Sequence, residues 1–334
     1  MISSGNVRRR PVLAVFIAFC SALFFTLTYV LNRASATDGG HWAWTASLRY
    51  FITLPLLLPL MPWQGGVRPI LLSITAHPWA WLKCGAIGFL LFYGTLSYAA
   101  SSGPSWLVAG TFQFTVIAGM LCSPFIYRDE RRRIPSSGIA ISLLILSGVI
   151  LMQTGQRGEP LDAQAWIAAG CVIVGAVAYP LGNRLLLLHL ERTKEELTAA
   201  QRVFGMTLVS QPLWILVAVF GFTQAGLPSP GQIGLAAGVA LSAGVIATIL
   251  FFEATGMVRD QPIALGAAES MQASELIFAM LLGVTFLNES WPRGIALTGA
   301  ILVILGIIAF ALLVSWMSPP GGGDLKAMRS DRGG

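Results

Sequence analysis

The fold this sequence predicts is an all-α integral membrane protein of ten transmembrane helices, arranged as two inverted five-helix repeats. Three observations lead there. The 334-residue chain is 55% hydrophobic and only 11% charged, where an average soluble protein is roughly 25% charged. Its apolar runs repeatedly reach about 20 residues, the length that spans a bilayer core. Residue patterns of the first half also recur, in order, in the second. The charge deficit argues against a soluble enzyme, a nucleic-acid reader and a disordered scaffold, because a water-facing surface of this size needs more ions than the chain owns. The mean hydropathy of +0.72 points the same way.

Apolar runs and their breaks place the spans at approximately 11–33, 43–62, 79–100, 104–126, 135–153, 164–184, 197–222, 231–256, 262–286 and 293–316. The chain then divides into a cytoplasmic segment (1–10), a first repeat (11–153), an external loop (154–163), a second repeat (164–316) and a disordered cytoplasmic tail (317–334), where Pro319 and Pro320 precede a run of three glycines. Arg8, Arg9 and Arg10 before the first span, and Ala34-Ser35-Ala36 after it, resemble a signal peptide. The apolar run is longer than a signal's usual roughly 7–15 residues, so it is read as a true first helix. Pro11, Pro104, Pro135, Pro262 and Pro292 mark helix starts, where a missing N–H costs nothing. Thr193 and Glu196 have capping-box spacing ahead of the seventh span.

The charges orient these spans. With the N-terminus inside, sixteen of the 21 basic residues fall on the inner side, among them Arg68, Arg131, Arg184 and Arg259. Arg33, Arg157 and Arg293 fall outside, and Arg49 and Arg202 lie within spans. This is the positive-inside bias, and ten spans put both termini in the cytoplasm. Cys20, Cys84, Cys122 and Cys171 all lie in apolar runs without CxxC spacing and read as packing or lipid-facing residues. His41, His77 and His189 lie at loops or span edges without an evident ligand partner, so no metal is expected. No GxxxxGK[ST] loop occurs, so ATP is not expected to drive this chain, and no cofactor is implied.

The internal repeat is legible residue by residue. Asn32-Arg33 matches Asn183-Arg184, and Arg49 with Pro59 matches Arg202 with Pro212. Tyr98-Ala99 matches Glu253-Ala254, Glu130 matches Glu289, and Gly138-Ile139-Ala140 matches Gly294-Ile295-Ala296, at offsets of 151 to 159 residues. Five helices per unit is an odd number, so the second unit starts on the opposite side of the membrane. Inverted repeats of this kind are the plan of many secondary transporters, with the substrate site near the midplane between the halves.

These features resemble the drug/metabolite transporter superfamily, in its ten-helix EamA-like branch, and most of all the multidrug resistance efflux transporters. Ser47-Leu48-Arg49-Tyr50-Phe51, Gly88 through Ala99, Pro124 through Gly148 and Ala264 through Gly306 carry the resemblance, which covers roughly 11–316. It implies export of small molecules from the cytoplasm across a bacterial inner membrane.

Polar residues inside spans are the candidates for such a site, because an ionisable side chain at the bilayer centre costs about 2.5–3.5 kcal/mol on insertion scales. Glu269, Gln272 and Glu275 recur every third residue in the ninth span. At 100° per residue they form one polar stripe about 120° wide that lipid cannot face. Glu275 lies near the midplane, and Glu269 lies nearer the cytoplasm, within reach of water. Arg49 is a candidate for a substrate carboxylate, with a structural pairing as the plainer reading. Gln113 in the fourth span is the neutral counterpart of the ninth. Glu253 ends the eighth span on the inner side, where snorkelling alone accounts for it. Trp44 and Tyr98 are possible cavity walls. Trp42, Trp44, Trp79, Trp81, Trp106, Trp166 and Trp291 read as an interfacial belt. Gly85, Gly88, Gly238, Gly244, Gly299 and Gly306 suggest close helix packing.

The expected function is secondary export of small amphipathic or cationic compounds, with a small-molecule substrate and the bilayer as partners. A carboxyl removed from water holds its proton more firmly, so Glu275 or Glu269 can exchange a proton for a cation near neutral pH. Two other readings are a passive exporter of amino acids or related metabolites, with Arg49 meeting the carboxylate, and a membrane enzyme on lipid-linked substrates. The lack of a nucleophile–base or metal cluster counts against the enzyme.

Overall fold

A computed structural model describes residues 4–102, 105–154, 163–286, 291 and 293–317. These residues form helices joined by short turns, with no strand among them. Eight helices among them are long and apolar enough to cross a membrane. Their outward faces carry large apolar side chains, with Phe125 90% exposed and Trp63, Trp79 and Trp316 each 80% exposed. Such a surface belongs against lipid rather than water.

Of the ten expected spans, the first corresponds to helix α1 (Ser4–Thr37), which runs through Pro11 instead of starting at it. Helix α2 (Trp42–Leu57) continues as a 3₁₀ turn over Leu58–Gln64, where Pro59 cannot extend the α ladder. A short helix, α3 (Arg68–Ala76), follows with Pro69 in its first turn; the span prediction has no such element. The third span is α4 (Pro78–Gly85), a π-helical segment (Ala86–Leu91) and α5 (Phe92–Ser102). The fourth is broken into α6 (Ser105–Phe112) and α7 (Thr115–Ile126), with Gln113 and Phe114 between them. The fifth is α8 (Ser136–Thr154).

In the second half, α9 (Ala163–Thr193) outruns its expected end at 184 by more than two turns. Asn183 and Arg184 therefore lie inside a helix, not at its cytoplasmic end, and the charge count loses one inner arginine. The helix stops where Lys194 takes a positive φ of 57° and Glu195 N–H bonds back to the Leu190 carbonyl. Helix α10 (Ala199–Ala225) starts with a capping box of Thr198 and Gln201, not Thr193 and Glu196; the Thr193 hydroxyl instead bonds the carbonyls of His189 and Leu190. The eighth span is α11 (Pro230–Val239), a π-helical segment (Ala240–Ala247) and α12 (Thr248–Met257). The ninth is α13 (Pro262–Ser270), a 3₁₀ turn (Met271–Ala273) and α14 (Ser274–Phe286). The tenth is α15 (Ile295–Met317). The expected external loop and tail lie largely or wholly outside the described residues, as do Pro104, Arg157, Glu289, Pro292 and the side chains of Arg33 and Trp106.

Irregularities recur at the offset expected of a repeat. The π-helical segments begin at Ala86 and Ala240, and the broken helices carry Gln113 and Gln272 at their interruptions. Corresponding helices of the two halves pack against each other, α2 on α10, α7 on α13 and α8 on α15. They run antiparallel. Gly221 abuts Ala43 and Trp44, while Gln211 reaches the Tyr50 carbonyl and Gln201 the Gly66 carbonyl. Gly148 meets Gly299 and Val303, while Gly306 meets Ile145. A Cβ on Gly148 would stand 2.7 Å from the Gly299 carbonyl oxygen, so only glycine allows α8 and α15 to approach this closely. The remaining first helices exchange partners: α1 packs on α11 and α12, and α9 on α4 and α5.

Two large apolar cores result, beside a small cluster of Ile126, Tyr127 and Leu188. One centres on Tyr50, Tyr93, Tyr179, Trp214 and Phe252, between α2, α5, α9, α10 and α12. The other centres on Met120, Ile145, Leu265, Met271 and Phe310, between α7, α8, α13 and α15. Phe114, at the break of the fourth span, packs against both. Trp81 belongs to the first core: it is fully buried and donates to the Ser73 hydroxyl at 2.9 Å, so it is not a belt residue.

Candidate functional site

The break in the ninth span separates its two carboxylates. Over Met271–Ala273 the backbone tightens to a 3₁₀ turn, which advances about 120° per residue rather than 100°. The stripe drawn for a regular helix is therefore split. Glu269 ends one segment and Glu275 opens the next, each with its own partners.

Glu269 is 1% exposed, so it does not sit within reach of cytoplasmic water. It accepts two hydrogen bonds from Arg184, from Nε at 2.8 Å and from Nη2 at 2.7 Å. The third arm, Nη1, donates to the Ser123 hydroxyl at 2.7 Å. This is a two-pronged guanidinium–carboxylate pair in a site closed to water, and it ties α9 to α13 and α7. Gly119 of α7 presses on the same carboxylate, and a Cβ there would overlap Glu269 Oε2. Pairing and burial give Glu269 a structural role.

Glu275 is 2% exposed and has no cationic partner among the described residues. Its hydrogen-bond partner is Tyr29 of α1, and its Oε1 has none. It borders a cavity of about 20 Å³ lined by Phe25, Thr28, Tyr29, Arg49, Phe92, Leu96, Phe112, Tyr179, Gln272 and Glu275. That holds about one water molecule and is far below the several hundred Å³ of a drug-sized site. The walls are aromatic: Tyr179 lies 4.5 Å from Phe92, 5.0 Å from Phe251 and 5.9 Å from Phe25, ring centre to ring centre. Both halves of the chain contribute.

Arg49 borders the same cavity from α2. It is 2% exposed, its guanidinium lies 3.9 Å from the centre of the Tyr93 ring, and its Nε has no partner. No ion pair joins it to Glu275 or to any other described carboxylate. A desolvated guanidinium over an aromatic face gains about 2 kcal/mol, which offsets only part of the cost of its burial. Gln272 adds an amide nitrogen without a partner.

The other candidates stand apart from this wall. Gln113 is fully buried at the break of the fourth span. Trp44 donates its indole N–H to the Gly226 carbonyl at 2.8 Å, and Tyr98 meets Trp42 edge-on at 5.7 Å. Glu253 is exposed. Arg202, the counterpart of Arg49, is buried, with Nη2 on the Phe252 carbonyl at 2.6 Å. Sequence reasoning missed Tyr29, Tyr179 and Arg184. The run Leu185–Leu188 after Arg184 was the available sign that the sixth helix continues. The histidines also have more company than expected: His77 and His189 pack at 5.0 Å, and His77 lies 4.0 Å from Glu195. Among the described residues no cluster fits a metal ion.

A second charged group lies near the ends of the spans. Arg131, beside the Tyr127 ring at 4.6 Å, bonds Asp129, Glu191 and Asp260. These residues come from the segment between α7 and α8, the end of α9, and the turn between α12 and α13. Hydrogen bonds from Arg131 hold the Asp129 carboxyl below the usual carboxylate range.

Comparison with known proteins places this architecture. The chain is 39% identical over 305 residues to "Uncharacterized protein YjlA" of Bacillus subtilis (strain 168), covering 88% of this chain and 93% of that protein. It is 37% identical over 268 residues to "Uncharacterized 42.1 kDa protein in intracellular alkaline protease 3'region" of Shouchella clausii, covering 78% and 70% respectively. One solved structure shares 16% identity with a TM-score of 0.68, covering 92% of this chain and 99% of its own, and shows likeness of fold alone. Residues 12–315 match the family described as "EmrE: Putative multidrug resistance efflux transporter". With eight described helices long and apolar enough to cross a membrane, an apolar outer face and a match over nearly its whole length, the chain belongs to this EmrE-like family of the drug/metabolite transporter superfamily, a family of membrane transporters rather than enzymes.

Proposed function

We propose that the protein is a secondary transporter of a bacterial inner membrane that exports small amphipathic compounds bearing a positive charge, in exchange for protons at Glu275. The observation that carries this reading is the carboxyl itself: Glu275 is buried at the interruption of a helix, without a cation, on a cavity walled by both halves. Discontinuous helices near the midplane are where such transporters place their sites. The antiparallel packing of α2 on α10, α7 on α13 and α8 on α15 supports the two inverted five-helix repeats. With ten crossings, both termini are cytoplasmic.

The exchange balances simply. Glu275 enters the cycle as the neutral acid, hydrogen-bonded to Tyr29. A cationic substrate forms an ion pair with the carboxylate, and the proton leaves to the side from which the substrate came. Rocking of the halves exposes the pair to the other side, where a proton displaces the cation. Arg49, Tyr29, Tyr179 and Gln272 are the polar groups that face this event. Arg184 and Glu269 form a strut that keeps α9, α13 and α7 in register.

The test is uptake into proteoliposomes with an acidic lumen, using a panel of labelled amines, cationic dyes and amino acids. At least one compound accumulates in the parent, and its accumulation is lost in Glu275→Gln. If no compound accumulates, or Glu275→Gln accumulates it equally, the reading fails.

A further inference from the structure

We propose that the substrate is a zwitterion, held at its carboxylate by Arg49 and at its ammonium by Glu275. This deepens the transport reading and rests on it. The argument starts from two buried ionisable side chains, a guanidinium and a carboxyl, on one small cavity that do not pair with each other. Arg49 and Glu275 are each 2% exposed, and both border the cavity. Among the described residues Arg49 has no carboxylate partner, its Nε bonds nothing, and the Tyr93 ring is its neighbour. A chain needing Arg49 only for packing would gain by pairing it, as Arg184 is paired with Glu269. An unpaired buried cation is costly, and its persistence marks it as a group awaiting an anion.

A purely cationic ligand fits this cavity poorly. It would neutralise Glu275 while bringing a second positive charge beside an unpaired guanidinium. A purely anionic ligand would do the converse at Glu275. A molecule carrying both charges satisfies both groups at once when the rocking halves widen the cavity, which closed holds about one water, and its apolar body meets Phe25, Phe92 and Phe112. Each end then gains a charge-assisted hydrogen bond in a site without water, the stronger class of such bonds. Specificity follows from the unpaired group that each singly charged analogue leaves behind.

Three probes on one carbon skeleton separate these cases: L-leucine, 3-methylbutylamine, which lacks the carboxylate, and 4-methylpentanoate, which lacks the ammonium. Each is measured for binding to the purified protein by calorimetry, and leucine also for transport. Leucine binds the parent about tenfold or more tightly than either analogue. In Arg49→Gln it loses its advantage over the amine and keeps that over the acid; in Glu275→Gln the pattern reverses. A parent that binds the amine as tightly as leucine overturns the proposal, as does a parent that binds none of the three. So does a variant pattern that does not cross over. If another compound of the transport panel accumulates while leucine neither binds nor moves, the zwitterion fails and the transport reading stands. If nothing accumulates, both fail. Circular dichroism of the variants establishes that they fold, and the conservative Arg49→Lys, which keeps a cation, retains part of leucine's advantage over the amine.

Discussion

Replacing Glu269 by glutamine separates a strut from a transport residue, because it removes a charge while keeping the shape. In the parent, Arg184 gives Glu269 two hydrogen bonds at 2.7 and 2.8 Å, and both side chains are at most 2% exposed. Breaking a buried pair by removing one partner costs about 3–5 kcal/mol. Glutamine keeps one oxygen for Arg184 to bond, and a neutral bond restores about 1 kcal/mol. The expected loss is therefore about 2–4 kcal/mol. Arg184→Gln costs a similar amount. The double variant Arg184→Gln/Glu269→Gln costs less than the sum of the two, because neither charge is left stranded. The assay is equilibrium unfolding in mixed micelles, run as a double-mutant cycle. Glu269→Gln within about 0.5 kcal/mol of the parent, the range of an ordinary surface change, would refute the reasoning. Additive single effects would refute it equally.

Three further predictions follow from the same packing. Gly119→Ala places a Cβ on the Glu269 carboxylate, so it lowers stability in the parent but costs much less in the double glutamine variant; equal costs in both backgrounds would show that the clash lies elsewhere. Arg131→Gln unties Asp129, Glu191 and Asp260, and hydrogen exchange over 127–133, corrected for intrinsic rates, rises at neutral pH. Because Arg131 lowers the Asp129 pKa, this contribution is present above the ordinary carboxylate range and is lost as pH falls through the lowered value, so exchange in the parent rises only in acid. Reporter fusions after Gly158 report the outer face and fusions after Glu195 the cytoplasm; the reverse assignment would overturn the cytoplasmic placement of both termini, and the same face for both would remove the basis for the inverted repeats.

The all-helical membrane character of the fold was legible because the length of an apolar run is a one-dimensional signal. The start of the ninth span at 262 coincides with the structure. What lies inside a span was less legible. Nothing in Ser270-Met271-Gln272-Ala273-Ser274 announces a 3₁₀ turn, since neither proline nor glycine marks it. The offset that relates Gln113 to Gln272 was the only sign that two interruptions correspond. Arg184 was misplaced because a lone arginine after an apolar run looks like a helix end; its burial depends on Glu269, 85 residues away. The site was half legible. Glu275, Gln272 and Arg49 stand out as polar residues in apolar runs, and the structure brings all three to one cavity. Tyr29 and Tyr179 do not stand out, because a tyrosine in a membrane span is ordinary until its neighbours are known.

The central claim is that Glu275 gives up a proton when substrate binds. The direct measurement is proton release on binding, by calorimetry of the purified protein in two buffers of different ionisation enthalpy, using the compound that accumulates in the proteoliposome assay. The account predicts release of about one proton per substrate bound to the parent at neutral pH, and none in Glu275→Gln. Equal proton release by the parent and Glu275→Gln, or binding to the parent without any release, would contradict it.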